Sequence, residues 1–296
     1  MNNYMKVSVA VFCLIFILFF SLVLLAAQAR TLAWEFDNVD EDCTGDHDGS
    51  CNFETKSKYW KNRMDDYWST STYDGYILAC ETADSDEWFN GLDHNYDNLD
   101  DGDATSLWGH GGKVHDYWSN EDHWYFRLSS EHIDTDNDFK CFSNTGWFEV
   151  GDNDAEHSHF FSCHSAQWDL VWDNRPYEAI SGRLHHFGGF HGEARTSYWT
   201  ENTVEDFVDE AMPNGSSVSY AWIHNFQEWN GGTGNTDICP VAIVHGEDQA
   251  DAQARTNYEN YGESYYIDDP PANDFYTKYL FYCNCNPWNG GKLTCN

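Results

Sequence analysis

Short apolar runs recur along this chain, and they limit its fold more than any other pattern in the sequence. They are predicted to be buried strands, and the clearest lie at residues 76–80, 104–108, 157–163, 239–244 and 279–283. Residues 184–187 are predicted to be a further strand that leads into a glycine turn at 188–192. Apolar residues recur at helical spacing over 58–68 and 203–212, and Ser217 is predicted to cap a further helix. Strands that alternate with helices favour an α/β fold with a mainly parallel sheet.

Two of these runs end beside reactive side chains. The run at 104–108 precedes His110, and the run at 157–163 ends on Cys163. A catalytic cysteine attacks as its thiolate and needs a base such as histidine. Because adjacent parallel strands present their carboxyl ends at one edge, His110 and Cys163 are predicted to form a catalytic pair. The backbone N–H groups of Gly111 and Cys163 are the candidate donors to an oxyanion.

The N-terminus carries the pattern of an export signal. An apolar run at 7–25 follows Lys6 and leads into Ala27-Gln28-Ala29. This pattern predicts a secretory signal cleaved after Ala29, and the alternative is an uncleaved membrane anchor. In both cases the rest of the chain is expected to be secreted, extracellular or on the cell surface, where disulfides persist.

The cysteine count supports a disulfide-bonded domain with one remaining thiol. Of the ten cysteines, Cys13 lies within the predicted signal, which leaves an odd number. Cys163 is the candidate for the residue outside the disulfides. In exported proteins such a cysteine is more often a disulfide half or an inert core thiol than a nucleophile. The disulfide candidates are Cys43, Cys51, Cys80, Cys141, Cys239, Cys283, Cys285 and Cys295. The last three lie close together near the C-terminus, and one of them is expected to pair with a distant cysteine.

Acidic residues dominate the charge balance. The formal net charge is −35, from 15 basic and 50 acidic residues. Such a charge argues against nucleic acid and anionic lipid as partners. It favours an acidic surface, suited either to a high-salt habitat or to divalent cations.

The polar loops contain weaker metal patterns. Asp134, Asp136 and Asp138 alternate as oxygen ligands do in a calcium loop, but Phe139 replaces the glycine that an EF-hand needs. They remain a candidate Ca²⁺ site of another kind. Several histidines lie on or near the predicted strands, but a zinc site would require three or four of them to converge. They are His157, His159, His185, His186 and His191.

The order of strand, His110-Gly111, strand and Cys163 resembles that of the caspase-like cysteine peptidases, which include caspases, metacaspases, legumains and gingipains. Cys163-His164-Ser165 is similar to the Cys-His-Ser-Gly of metacaspases. Ala166 replaces the glycine, and Ser162 stands where metacaspases carry an acidic residue. The chain also resembles an uncharacterised bacterial and archaeal branch of this fold. The similarity covers 84–262 and includes 184–190, 215–218, 221–222 and 240–242.

This resemblance implies a three-layer α/β/α sandwich with a mainly parallel sheet and a His110–Cys163 dyad. The composition and the cysteine count add the expectation of long acidic loops that carry disulfides. The expected organisation is a signal or anchor at 1–29, an N-terminal extension with the first sheet elements at 30–83, a caspase-like core at 84–262 and a Cys-rich tail at 263–296.

The predicted function is an exported cysteine endopeptidase that acts on a peptide or protein substrate. This function requires no cofactor, although Ca²⁺ remains a candidate ligand. Assembly into a homo-oligomer is a further open alternative. The first alternative is a surface or filament-forming protein that keeps the fold without catalysis. The second is a Ca²⁺-dependent extracellular binding module.

Overall fold

The structure is a computed structural model. It describes residues 29–33, 38–39, 45–46, 52–68, 102–116, 121–127, 142–144, 155–167, 184–194, 200–213, 215–227, 238–262, 269–270, 275–287 and 290–295. Residues 1–28 of the predicted signal, the 76–80 strand and the aspartates at 134–138 lie outside these ranges, whereas Ala29, the last residue of that signal, is described. So do Cys43, Cys51, Cys80 and Cys141.

The described chain forms eleven strands and four helices. The strands are β1 (Ala29–Ala33), β2 (Asn38–Val39), β3 (Gly45–Asp46), β4 (Ala104–Trp108), β5 (Gly111–Asp116), β6 (Glu121–Arg127), β7 (Phe142–Asn144), β8 (His157–Phe161), β9 (His186–Phe190), β10 (Pro240–Gly246) and β11 (Tyr276–Phe281). The helices are α1 (Asn52–Tyr67), α2 (Glu201–Ala211), α3 (Val218–Phe226) and α4 (Gln249–Tyr258).

A six-stranded mixed sheet forms the centre of the fold, in the order β1-β4-β8-β9-β10-β11. The first four strands in this order are parallel, and β10 runs antiparallel to both of its neighbours. A hairpin of β2 and β3 and an antiparallel sheet of β5, β6 and β7 are separate from it. The predicted α/β class with a mainly parallel sheet is therefore confirmed.

One face of the sheet packs against α1, α2 and α3. Trp222 of α3 lies at the centre of the contact, and its ring meets Phe161 at 4.9 Å and Phe190 at 5.2 Å. The predicted apolar stripe of α2 faces this core, and its buried residues are Val204, Phe207, Val208 and Ala211. Truncation of a buried aromatic ring of this kind removes roughly 3–5 kcal/mol of stability.

The opposite face of the sheet is buried as well. Leu107, Phe160 and Phe187 point away from the helix-facing core, because strand side chains alternate, and all three are buried. Sheets with parallel strands require cover on both faces. The arrangement is therefore compatible with an α/β sandwich.

The helix boundaries follow local signals in the sequence. Thr200 caps α2 in a capping box with Thr203, and Ser217 caps α3 by accepting the Tyr220 N–H, as the sequence predicted. Arg63 of α1 donates two hydrogen bonds to Asp209 of α2, at 2.5 and 2.7 Å. This bidentate pair joins the two helices.

One turn prediction is wrong. The sequence suggested that Gly188 and Gly189 form a glycine turn after a strand at 184–187, whereas both lie inside β9. The left-handed residue comes later, at Gly192, where φ is 89°. The Trp222 and His159 side chains fill the space that a side chain at 188 would occupy, and Ser165 and Ala166 fill the space at 189.

Two disulfides close the C-terminal region. Cys239 bonds to Cys285, and Cys283 bonds to Cys295. The expectation that one of the three terminal cysteines reaches a distant partner is confirmed by Cys285. These bonds are consistent with an oxidising compartment. No helix in the described ranges has the length and apolar character needed to cross a membrane.

Candidate functional site

The parallel strands β4 and β8 end together, at what we call the carboxyl edge of the sheet. Trp108 and Phe161 are their last register partners, and the two rings stack with centroids 3.5 Å apart. The Gly109 N–H then donates to the Phe161 carbonyl at 3.4 Å, so pairing extends one residue further. His110 and Cys163 follow directly, each two residues beyond the last register pair.

The half-buried His110 imidazole is held by an aromatic contact. Phe53 from the first turn of α1 packs edge-on against it, with ring centroids 5.0 Å apart and an angle of 89°. Gly111, the candidate oxyanion donor, comes next and is the first residue of β5. The chain therefore leaves the central sheet at His110 and enters the smaller antiparallel sheet at once.

The turn that carries Cys163 is fixed by hydrogen bonds to the end of β9. The His164 N–H donates to the Gly192 carbonyl at 2.7 Å, and the Ala166 N–H donates to the Phe190 carbonyl at 3.0 Å. The Ser165 hydroxyl bonds back to the Ser162 carbonyl at 2.8 Å. These bonds hold the backbone on both sides of Cys163.

His164 adopts an unusual backbone conformation directly after Cys163. Its φ is 61°, a left-handed value that residues other than glycine seldom adopt. The imidazole is buried, and its Nδ1 lies 2.5 Å from the Gln167 side-chain oxygen. Strained backbone that the surroundings hold in place is concentrated at functional sites.

The Cys163 side chain is a half-buried thiol with polar contacts to one residue of the next loop. The Ala194 N–H donates to Sγ at 3.3 Å, and Sγ lies 3.7 Å from the Ala194 carbonyl oxygen. An N–H donor favours the thiolate form. The two disulfides of the described ranges do not involve Cys163. Four further cysteines lie outside those ranges, so the assignment of Cys163 as the remaining thiol stays a prediction.

A different group of side chains converges at the opposite, amino edge of the sheet, where β8 and β9 begin. Among the described residues, Glu156, His185 and Asp269 are the set of metal-ligating side chains whose ligand atoms lie within 4.8 Å of one another. Sequence reasoning named His185 but missed both carboxylates. Glu156 adjoins a histidine-rich strand, whereas nothing in the sequence ties the distant Asp269 to it.

The other histidines considered for a zinc site form no second set of three ligand atoms within 4.8 Å among the described residues. His159 lies in the aromatic core, stacked on Trp222 at 5.1 Å, with Nε2 2.6 Å from the Tyr261 hydroxyl. Burial lowers the pKa of His157 to about 3, and it lowers the pKa of His159 and His186 well below the ordinary value. These three histidines are therefore neutral in the folded chain.

A groove of about 830 Å³ lies between α3, α4 and the strand β11. Aromatic side chains line much of it, among them Tyr220, Tyr279 and Tyr282. It contains neither His110 nor Cys163.

Comparisons with known proteins give no relative. The chain matches no protein-family model, no curated protein and no solved structure. The resemblance to caspase-like peptidases therefore rests on the residues quoted above.

Proposed function

We propose that this protein is an exported cysteine peptidase in which Cys163 is the nucleophile and His110 is the acid/base. The peptide substrate and the caspase-like, three-layer form of the α/β fold are parts of this proposal that derive from the resemblance. The geometry supports the thiol chemistry more directly than it supports the choice of substrate.

The observation that carries the proposal is the register of β4 and β8. These neighbouring parallel strands end at the same level, and the two reactive residues follow at equal distances from the last pair. Ligands of α/β sheets usually bind at the carboxyl ends of the strands. A histidine and a cysteine at this edge suit proton transfer between side chains.

Three further features support a reactive thiol. The Ala194 N–H at 3.3 Å from Sγ stabilises a thiolate. The left-handed His164 and its hydrogen bonds hold the turn in one conformation. The edge-on contact of Phe53 limits rotation of the His110 imidazole. Pre-organised groups of this kind are what nucleophilic catalysis requires.

The proposed reaction has two stages. In the first, His110 accepts the Cys163 proton, and the thiolate attacks the peptide carbonyl carbon. The oxyanion accepts hydrogen bonds from the Cys163 and Gly111 N–H groups. His110 then protonates the leaving amine, which leaves a thioester on Cys163. In the second stage, His110 takes a proton from water, the hydroxide attacks the thioester, and the acid product leaves as Cys163 recovers its proton.

Alkylation of the folded chain tests the dyad without a known substrate. The rate of iodoacetamide reaction at Cys163, followed by mass spectrometry from pH 5 to 9, reports the thiolate fraction. We expect reaction of the wild type near neutral pH. In His110→Ala we expect a shift of the profile to higher pH by about one unit or more, because the base is lost. His224→Ala is the matched control, since this exposed histidine of α3 contacts Glu210 of α2.

A peptide-based thiol probe tests the peptidase hypothesis itself. We expect labelling that disappears in Cys163→Ala and falls at least tenfold in His110→Ala. If Cys163 reacts only after unfolding, the dyad hypothesis is wrong. A surface protein without catalytic activity then becomes the better hypothesis. Iodoacetamide could detect the thiolate while peptide probes of varied sequence never label it. That result would support a reactive Cys163 thiol and reject a peptide as the substrate.

A further inference from the structure

The group at the amino edge of the sheet has the composition of a metal site. One imidazole, from His185, and two carboxylates, from Glu156 and Asp269, present their ligand atoms within 4.8 Å of one another. His185 is fully buried, whereas Asp269 is 53% exposed, so the group is open to solvent on one side. It lies at the other end of the strands from His110 and Cys163 and is independent of the proposed peptidase site.

A buried carboxylate orients the His185 ring. His185 Nδ1 lies 2.5 Å from Glu259 Oε1, and Glu259 is only 3% exposed. When Nδ1–H donates to Glu259, the lone pair on Nε2 faces the two other carboxylates, with Asp269 Oδ1 at 3.3 Å. Histidines that bind metals almost always donate their second N–H to such an acceptor. Glu259 is thus suited to be the positioning residue of a ligand.

The sheet backbone holds two of the three ligand-bearing residues. The Glu156 carbonyl accepts the N–H groups of His185 at 2.8 Å and His186 at 3.0 Å. The His245 N–H of β10 donates to the His185 carbonyl at 3.0 Å. Glu156 and His185 are therefore fixed relative to each other before any ion binds. Each of the two residues directly precedes a strand of the central sheet, and ligands supported by such rigid elements form more precise sites than ligands on loops.

An additional imidazole beside the group has no hydrogen-bond partner. His157 follows Glu156, is fully buried, and meets the His185 ring edge-to-face with centroids 6.0 Å apart. Within the described chain, neither of its ring nitrogens makes a hydrogen bond. Buried polar groups without partners are rare, and each calls for an explanation such as a bound ion or water. The unsatisfied imidazole lies directly beside the proposed ligands, in contact with the His185 ring.

We propose that Glu156, His185 and Asp269 bind one divalent transition-metal ion, with Zn²⁺ as the preferred ion. Zn²⁺ accepts imidazole nitrogen together with carboxylate oxygen and is often held by three protein ligands, with water in the fourth position. Ca²⁺ and Mg²⁺ favour sets made of oxygen alone, so one nitrogen in three selects against them. The ion ties Asp269, in the connection between α4 and β11, to the amino edge of the sheet.

Titration of the full chain with Zn²⁺ alone tests the site. The protein is treated with EDTA, which is then removed, and calorimetry is run with excess Mg²⁺ to occupy weak acidic sites. We expect one equivalent of Zn²⁺ to bind to the wild type and the affinity of Asp269→Asn to fall at least tenfold. Asp206→Asn is the matched control, because Asp206 is an exposed aspartate of α2 away from the group.

Two further measurements keep the test decisive. Co²⁺ in place of Zn²⁺ should give visible absorption bands in the wild type that Asp269→Asn lacks. Glu259→Gln should lower the Zn²⁺ affinity by roughly 10- to 100-fold while the stoichiometry stays at one. Thermal unfolding of each metal-free variant verifies that it is folded before titration.

Two outcomes would overturn the proposal. The first is an equal Zn²⁺ affinity in wild type, Asp269→Asn and Asp206→Asn, which would mean that the ion binds the acidic surface at large. The second is that the wild type binds no Zn²⁺, yet Asp269→Asn is less stable than the wild type. In that case a proton on His185, bridging Glu259 and Asp269, is what joins these residues.

Discussion

At the scale of single residues, Gly188 shows how closely β9 approaches the helix above it. A Cβ at this position would lie 2.8 Å from ring atoms of Trp222 and 2.9 Å from His159 Nδ1. Both neighbours are fully buried. We therefore expect Gly188→Ala to lower the free energy of unfolding by about 1–3 kcal/mol, the usual effect of overpacking. Urea denaturation followed by tryptophan fluorescence measures it.

A second substitution separates this steric effect from a general effect on the strand. Trp222→Phe makes room beside position 188, so the loss caused by Gly188→Ala should be smaller in that background than in the wild type. Equal losses in both backgrounds would show that contact with Trp222 is not the cause.

The same scale separates what the sequence could reveal about the site from what it could not. His110 and Cys163 follow apolar runs, so local pattern and the rules for parallel sheets were enough to predict that both lie at the carboxyl edge, just beyond the ends of β4 and β8. The left-handed His164 and the Ala194 N–H near Sγ depend on how the turn packs against the end of β9. No local pattern encodes such contacts, because they join residues that are distant along the chain.

At the scale of elements, α4 is the helix that sequence reasoning missed. Its residues Gln249–Tyr258 show no apolar stripe, and the few that are buried include the polar Arg255 and Thr256. The helix begins instead with a local signal. The Asp248 carboxylate accepts the N–H groups of Ala250 at 2.7 Å and Asp251 at 2.9 Å.

Loss of this cap should destabilise the fold. We expect Asp248→Ala to lower the free energy of unfolding by about 1 kcal/mol, since N-cap replacements by alanine have effects of this size. Asp248→Asn keeps the acceptor oxygen and should lie within a few tenths of a kcal/mol of the wild type. Chemical denaturation of both variants provides the measurement. If the two lose the same stability, the charge matters more than the cap.

Elements with a strong pattern were predicted well, and those without one were not. The strands β4, β8 and β10 and the helices α1, α2 and α3 follow apolar periodicity or a capping residue. The strand β9 contains two glycines, which indicated a turn, yet close packing against Trp222 and Ala166 is what excludes side chains there. In β9, tertiary packing rather than local propensity therefore determines that residues 188 and 189 are part of a strand.

At the scale of the whole molecule, buried histidines should set how stability depends on pH. His159 is neutral in the fold, because burial first, and His186 and His157 next, lower its pKa well below 6.5. The Tyr261 hydroxyl also contacts this ring and lies 2.6 Å from Nε2. The unfolded chain binds a proton on this histidine near pH 6.5. His159 therefore stabilises the fold fully above pH 6.5, and this contribution is lost as the pH falls.

The opposite sign holds for His185. Burial lowers its pKa, but hydrogen bonds to Asp269 and Glu259 outweigh burial and raise the pKa to about 9. Its contribution is complete below pH 6.5 and is lost as the pH rises toward 9. In metal-free buffer we therefore expect the histidines to give a stability maximum near pH 6.5. Urea unfolding at half-unit intervals from pH 5 to 9 measures the curve.

The acid side of this curve can be assigned to a residue. Below pH 6, each histidine that is neutral only in the fold contributes a slope of about 1.4 kcal/mol per pH unit. His159→Phe removes one titrating group, so the slope between pH 6 and 5 should decrease by about that amount. Loss of the hydrogen bond between this histidine and the Tyr261 hydroxyl lowers stability at every pH and leaves the slope unaffected. This window lies above the ordinary pKa of carboxylates, so an unchanged slope in His159→Phe would mean that His159 takes up its proton without unfolding.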